Sequence, residues 1–228
     1  MSFVRLDRRW YELIILLVLM VITTPIFWLT DIDQQVAAWF YQPLTTPPEN
    51  DHWPLRHWWL WTLLFDYAKL VIVGGALLAL FMVMLASRLP KFACFKRPAL
   101  YIFFVILLGP GLVVNIIFKD HWGRPRPVHM HQFSGQHDYV PPLKIGSTHE
   151  KSFVCGHCSV GFAFFVFYFL SKKHKIRYFL LTLLLALALG LARMSAGGHF
   201  ISDILWSGYS VFLVAWLVYY GWYQRQSD

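Results

Sequence analysis

The stretch "LARMSAGGHFISDI", Leu191–Ile204, joins two long apolar runs and places Arg193, His199 and Asp203 where those runs meet. A helix crosses the hydrocarbon core of a bilayer with roughly 20 mostly apolar residues. Ionisable groups at the edge of such a helix are costly unless they face one another or a polar cavity, which makes these three functional candidates. The rest of the 228-residue chain agrees: 57% of it is hydrophobic and only 14% is charged. That is too apolar for an ordinary soluble domain.

The chain is therefore expected to be an all-α integral membrane protein with six transmembrane helices, at about residues 11–30, 60–86, 99–118, 156–171, 177–192 and 200–222. The first is expected to be retained, because no small-residue cleavage site follows Leu29, where the chain reads TDIDQQ. Arg5, Arg8 and Arg9, then Arg88, Lys91, Lys96 and Arg97, then Lys172, Lys173, Lys175 and Arg177 flank alternate ends of these spans. The bias of Lys and Arg to the inner side predicts both termini in the cytoplasm. Three loops, 31–59, 119–155 and 193–199, then share the outer face. The formal charge of +8 is largely this bias, and nucleic acid is not expected as a partner, nor is an obligate protein partner evident. Trp53, Trp58, Trp59 and Trp61 read as an interfacial aromatic belt. With no repeat and no low-complexity tract, residues 1–228 are expected to form a single domain.

The outer loops concentrate the chemistry. His199 and Asp203 stand four residues apart, one turn on one face if helical. A carboxylate there can fix one imidazole nitrogen and leave the other as nucleophile or base. Gly197-Gly198 before them allows a close backbone turn. Lys119, Arg126 and Arg193 are three cations on the same face, suited to a phosphoryl group whose charge is spread over several oxygens. Gly156 and His157 open the fourth span, and a helix N-terminus offers unpaired N–H groups to an anion.

Lys119-x6-Arg126-Pro127, Cys155-Gly156-His157 and Arg193-x5-His199-x3-Asp203 resemble, in order and spacing, the three-part signature of the type 2 phosphatidic acid phosphatase (PAP2) superfamily. "GPGLVVNIIFKDHWGRPRP", "SFVCGHCSVGF" and "RMSAGGHFISD" look like its lipid A 4′-phosphatase branch, an inner-membrane group of Gram-negative bacteria. The resemblance implies a PAP2-type six-helix bundle in the inner membrane, a periplasmic active site, and neither metal nor other cofactor. It implies that His199 attacks phosphorus to form a phosphohistidine while Asp203 orients it. His157 would protonate the leaving alkoxide and then activate water. Lys119, Arg126 and Arg193, with Cys155 and the Gly156 N–H, would bind phosphate. Cys155 and Ala192 stand where the family usually has serine, so two hydroxyls that bind phosphate are missing.

The expected substrate is the 4′-phosphate of lipid A. Phosphatidylglycerophosphate, phosphatidic acid and undecaprenyl diphosphate are alternatives, to be chosen among by the first outer loop and the loop 132–150. Cys155-Gly156-His157-Cys158 also fits a membrane thiol oxidoreductase. That reading leaves the cations and His199/Asp203 unexplained, and Cys94, the remaining cysteine, sits in a predicted inner loop. Free thiols at Cys155 and Cys158 are expected. A zinc site of Cys155, Cys158, His149 and either His129 or His131 is a further alternative. So is a non-enzymatic transporter of anionic lipid, which needs cations but not two histidines and a carboxylate.

Overall fold

The computed structural model describes residues 7–43 and 52–225. Arg5 of the predicted inner cluster and part of the first predicted outer loop, residues 44–51, lie outside them. The described residues are helical apart from turns and loops, with one isolated bridge, Met130 to His137. The helices are α1 (Arg8–Leu29), α2 (Ile32–Ala38), α3 (Trp59–Arg88), α4 (Lys96–Ile106), α5 (Lys119–His121), α6 (Gly156–Phe162), α7 (Phe165–Leu170), α8 (Lys175–Ser195) and α9 (Ile201–Val218).

Among the described residues, five segments are long and apolar enough to span a membrane: Arg8–Leu29, Trp59–Arg88, Pro90–His121, Lys175–Ser195 and Ile201–Tyr223. The expected fourth span is shorter. Gly156–Leu170 is broken between α6 and α7 at Ala163 and Phe164, and at about 1.5 Å per residue it falls short of a bilayer core of about 30 Å. Its residues Cys158 to Ala163 are buried in the bundle.

The third span departs from a plain α-helix. Leu107–Phe118, between α4 and α5, is wound as a wider π-helix around Pro110. Proline has no N–H to give and crowds the preceding turn, and a π stretch is one way for a helix to accommodate that fault. Asn115 Nδ2 donates to the Pro110 carbonyl at 2.6 Å, returning a side-chain bond within this widened stretch.

At the centre stands α9. Seventy-two per cent of its apolar window is buried, against 11% for α1 and α3. Tyr101, Val105 and Val114 of the third span, Leu16 of α1 and Phe165 and Phe169 of α7 pack with Ile204, Trp206, Val211 and Ala215 of α9 into one core. Val21, Leu29, Leu77 and Leu184 on the outside remain exposed. Such apolar outer faces suit lipid, and the chain is transmembrane.

Two polar clusters cap this core at opposite ends of the same segments. Glu12 near the start of α1 accepts from Arg8 (3.0 Å), from Tyr168 in α7 (2.6 Å) and from Tyr220 beyond α9 (2.9 Å). The other ends of α1, of α6 and of α9 carry Asp33 (in α2, just past α1), His157 and Asp203.

Candidate active site

The turn between α8 and α9 is built by Gly197, whose φ of +62° lies in the left-handed region that other residues enter at a cost. A Cβ there would also sit 2.5 Å from the buried Trp53 ring. The turn brings Gly198 back so that its N–H bonds the Arg193 carbonyl at 2.9 Å. His199 follows, just before α9 begins at Ile201, so the helical spacing expected for His199 and Asp203 is not what pairs them. Asp203, third residue of α9, reaches back over the helix start and accepts from the Phe200 N–H at 2.9 Å, one half of a capping box. In that pose its Oδ2 lies 3.5 Å from His199 Nδ1, an electrostatic contact longer than a hydrogen bond.

Asp203 is itself held on all sides. Ser152 donates to its Oδ2 at 2.6 Å and Arg124 to its Oδ1 at 2.5 Å. Arg124, fully buried, also donates to Asp33 of α2 (2.8 Å), to Ser202 (2.8 Å) and to the Val140 carbonyl (2.7 Å). Tyr139 and Ser202 donate to Asp33 Oδ2 at 2.7 and 2.5 Å. Burial works against charge on Arg124, but Asp203 and Asp33 more than offset it and raise its pKa above the ordinary guanidinium value. Burial, then Asp33, pushes the Tyr139 hydroxyl up. At His199, burial wins: although Asp203 favours the charged ring, the imidazole is held down at about 4. His199 is thus neutral at physiological pH.

The segment before α6 is tied to α9 by two bonds. The Cys155 N–H donates to the Asp203 carbonyl (3.2 Å), and Ser207 Oγ donates to the Cys155 carbonyl (2.9 Å). Cys155 and Cys158 are joined in a disulfide, where free thiols were expected. Cys155 is extended at the N-cap rather than helical, and the two Cα atoms are 5.3 Å apart, within the range that a disulfide bridges. Both residues are fully buried.

His157 lies between them in sequence, with no hydrogen-bond partner on either ring nitrogen. Its ring stacks on Phe65 of α3, centroids 4.3 Å apart at 20°. The same phenyl lies 4.9 Å from the Arg193 guanidinium. Arg193, His199 and Lys119 all act electrostatically on His157. A Cβ on Gly156 would stand 2.9 Å from both Lys119 Nζ and Asn115 Oδ1, so glycine is what lets Lys119 approach the start of α6.

Arg126 and Arg193 line one cavity of about 430 Å³ together with Arg56, His57, Trp61, Phe65, Asp66 and Gly198. Lys119 lines a neighbouring one of about 380 Å³ with His121, His149 and Lys151. Arg126 approaches Glu150 at 3.9 Å, and His129 Nδ1 lies 3.0 Å from the same carboxylate. Among the described residues no three His, Cys, Asp or Glu side chains are gathered as a metal site would need, and Cys155 and Cys158 are spent on each other.

Residues 98–227 match the profile described as the PAP2 superfamily, which is more than half of the chain. The chain belongs to the PAP2 superfamily. Among curated relatives of this PAP2 protein, the lipid A 4′-phosphatase of Francisella tularensis subsp. novicida (strain U112) is 45% identical over 141 residues, 60% of this chain and 64% of that protein. The lipid A 4′-phosphatase of Rhizobium etli is 38% identical over 107 residues, 43% and 40% of the two chains. A lipid A 1-phosphatase of the same species is 29% identical over 143 residues, 60% and 54%. The chain thus spans less than two thirds of the length of these relatives. No solved structure matches it.

The matched region begins at residue 98, and three site neighbours of this PAP2 protein fall before it: Asp33, Arg56 and Phe65. Nothing in the sequence marks these three as site residues, or gives Arg124 its place beside Asp203. The "GRPRP" motif offers two arginines, and the spacing from Lys119 singles out Arg126. Asp33 lay in TDIDQQ, which spoke only to cleavage. Phe65 was one apolar residue among many in a span.

Proposed function

We propose that the chain is a lipid phosphatase whose substrate is the 4′-phosphate of lipid A. What carries the reading is the gathering of Lys119, Arg126 and Arg193 around two histidines, one of them backed by Asp203. A binding module for anionic lipid needs the cations; it has no use for a buried carboxylate behind a neutral imidazole.

In the proposed reaction the phosphate is held by Lys119, Arg126, Arg193 and the N–H groups at Gly156. With its proton on Nδ1 toward Asp203, His199 presents the Nε2 lone pair to phosphorus. Attack forms the N–P bond as the P–O bond to the sugar breaks, and Asp203 stabilises the ring's positive charge. His157 gives its proton to the departing alkoxide. It then takes a proton from water, whose oxygen attacks the phosphohistidine and returns His199 free with inorganic phosphate. The charged neighbours of His157, Arg193 and Lys119, are cations, so the negative charge that stabilises a proton on it comes with the substrate.

The membrane arrangement follows from charge. Arg88, Lys91, Lys96, Arg97, Lys172, Lys173, Lys175 and Arg177 collect at the Glu12 end of the bundle, as Arg8 and Arg9 do. By the bias of cations to the cytoplasmic side, the site end faces the periplasm across the inner membrane. Gly156–Leu170, enclosed by its neighbours, completes six passes within a single domain. The disulfide favours no thiol oxidoreductase, because an exchange partner has no access to two fully buried sulfurs.

The test is phosphate release from lipid A, phosphatidylglycerophosphate, phosphatidic acid and undecaprenyl diphosphate, with His199→Ala and with EDTA. Lipid A losing one phosphate, mapped to the 4′ position by mass spectrometry, is the expected result. Full activity in His199→Ala, or its abolition by EDTA, would break the mechanism.

A further inference from the structure

We propose that Asp33 is a positioning residue for the phosphatase site: by neutralising Arg124, it leaves Asp203 with its negative charge available to His199. The inference rests on His199 being the nucleophile.

The geometry is a buried chain of charges. Asp33, Arg124 and Asp203 are each fully buried, and the guanidinium lies between the two carboxylates, at 2.8 Å from one and 2.5 Å from the other. Two carboxylates and one guanidinium leave one negative charge. In a buried site such a charge is strongly disfavoured unless something answers it. The ring that lies against Asp203 is His199. On phosphorylation the imidazole becomes cationic, and the cluster then balances. Were Arg124 paired with Asp203 alone, the pair would be neutral before the ring became charged.

The surroundings of Asp33 fit a fixed countercharge. Its Oδ1 accepts from the Ser202 N–H at 3.0 Å, and its Oδ2 accepts from Ser202 Oγ, Tyr139 and Arg124. Ser202 is one residue from Asp203, so the hold on Asp33 is also a hold on the start of α9. His199 itself is faced by Asp203 from α9, Arg193 from α8, Lys119 from α5 and His157 from α6. Of these only Asp203 is anionic, and its charge is the one that Arg124 draws on.

The experiment compares Asp33→Asn with the double variant Asp33→Asn/Arg124→Gln and with His199→Ala, in the full-length purified protein. The first has a cluster with no net charge, so His199 protonates less readily. Its kcat is expected to fall about 10- to 100-fold, with KM near that of the parent, and the acid limb of its kcat/KM profile to move to lower pH. The double variant restores one negative charge on Asp203. Its kcat is expected to recover at least about tenfold over the single variant, with its acid limb at or above the parent's pH. A structural role alone predicts instead that the double variant is the worse of the two and that neither limb moves.

If Asp33→Asn does not accumulate folded, the double variant, with no arginine left unpaired, decides by its limb and kcat. Failure of that variant to fold would make the cluster a mere support and overturn the proposal. Activity surviving in His199→Ala overturns the nucleophile assignment; an inactive His199→Ala beside an unmoved Asp33→Asn profile overturns only the role of Asp33.

Discussion

The two ends of the bundle are made from the same ingredients and do opposite things with them. At one end Glu12 meets Arg8, Tyr168 and Tyr220; at the other Asp33 and Asp203 meet Arg124 and Tyr139. Arg8 is 58% exposed in its side chain, so the pair it makes with Glu12 is screened by water, and such pairs contribute little. Arg124 and its two carboxylates have no exposure at all. One cluster closes an end of the bundle with satisfied hydrogen bonds. The other carries a surplus negative charge next to a neutral histidine, and beyond that histidine lie both ring nitrogens of His157 and the Nε of Arg193, buried with no hydrogen-bond partner. The difference between the ends is one of balance: the Glu12 cluster is screened by water, whereas the buried cluster of two carboxylates and one guanidinium keeps a surplus negative charge.

The comparison breaks first if the nucleophile is misassigned. His199→Ala is expected to lower phosphate release by about 10⁴-fold or more, while Glu12→Gln leaves turnover within about twofold. Equal losses in the two would erase the distinction between the ends.

Acidity offers a second test. The folded-state pKa of His199, about 4, lies below the ordinary value of 6.5. Between the two, the unfolded chain binds a proton that the folded chain refuses. Stability is therefore expected to fall as pH drops from 6.5 toward 4, by up to roughly 3 kcal/mol, and to level off below. Thermal midpoints of the purified protein across that range measure it, and His199→Gln should flatten the slope.

A smaller effect is expected at the aromatic support. Phe65→Ala removes the ring on which His157 stacks and over which Arg193 lies, and should cost about 10- to 100-fold in kcat. Phe65→Tyr, keeping the ring, should recover most of it; no difference between the two would mean that the stacking does not orient His157. The smallest change belongs to the far end. Tyr220→Phe removes one hydrogen bond to Glu12, worth about 1 kcal/mol of stability, and phosphate release per folded molecule should not change.

The helical, membrane-spanning character and the gathering of most of the candidate site residues were legible in the sequence, because long apolar runs need lipid or protein around them and charges at their edges need one another or a polar cavity. The five long spans fall where apolar length places them. Gly156–Leu170 did not fit the same rule, since its break at Ala163 and Phe164 is set by packing within the bundle and carries no proline or charge to mark it. The π winding of Leu107–Phe118 was equally hidden, although Pro110 was in view: a proline reports a fault, not how the helix resolves it. His199 and Asp203 were paired correctly from spacing but by the wrong device, a helix start in place of a helix face. Asp33 and Phe65 were invisible because what makes them neighbours of the site is folding across long stretches of chain; Arg124 was in view beside Arg126, but nothing in the sequence shows that it turns inward to Asp33 and Asp203. The cysteines misled in the other direction. Their four-residue spacing fits free thiols and a disulfide alike, and the extended N-cap conformation of Cys155, which spacing does not reveal, goes with the disulfide.

The widened winding of Leu107–Phe118 has a consequence for how this chain can change. Residues in it turn through a smaller angle than in an α-helix, so the direction in which Lys119 leaves the span depends on how many residues precede it in that winding. Pro110 and Asn115 are tied to the winding itself, whereas removal of any one residue from the stretch is expected to rotate Lys119 away from Gly156. The number of residues there is thus as much a part of the site as the residue it delivers.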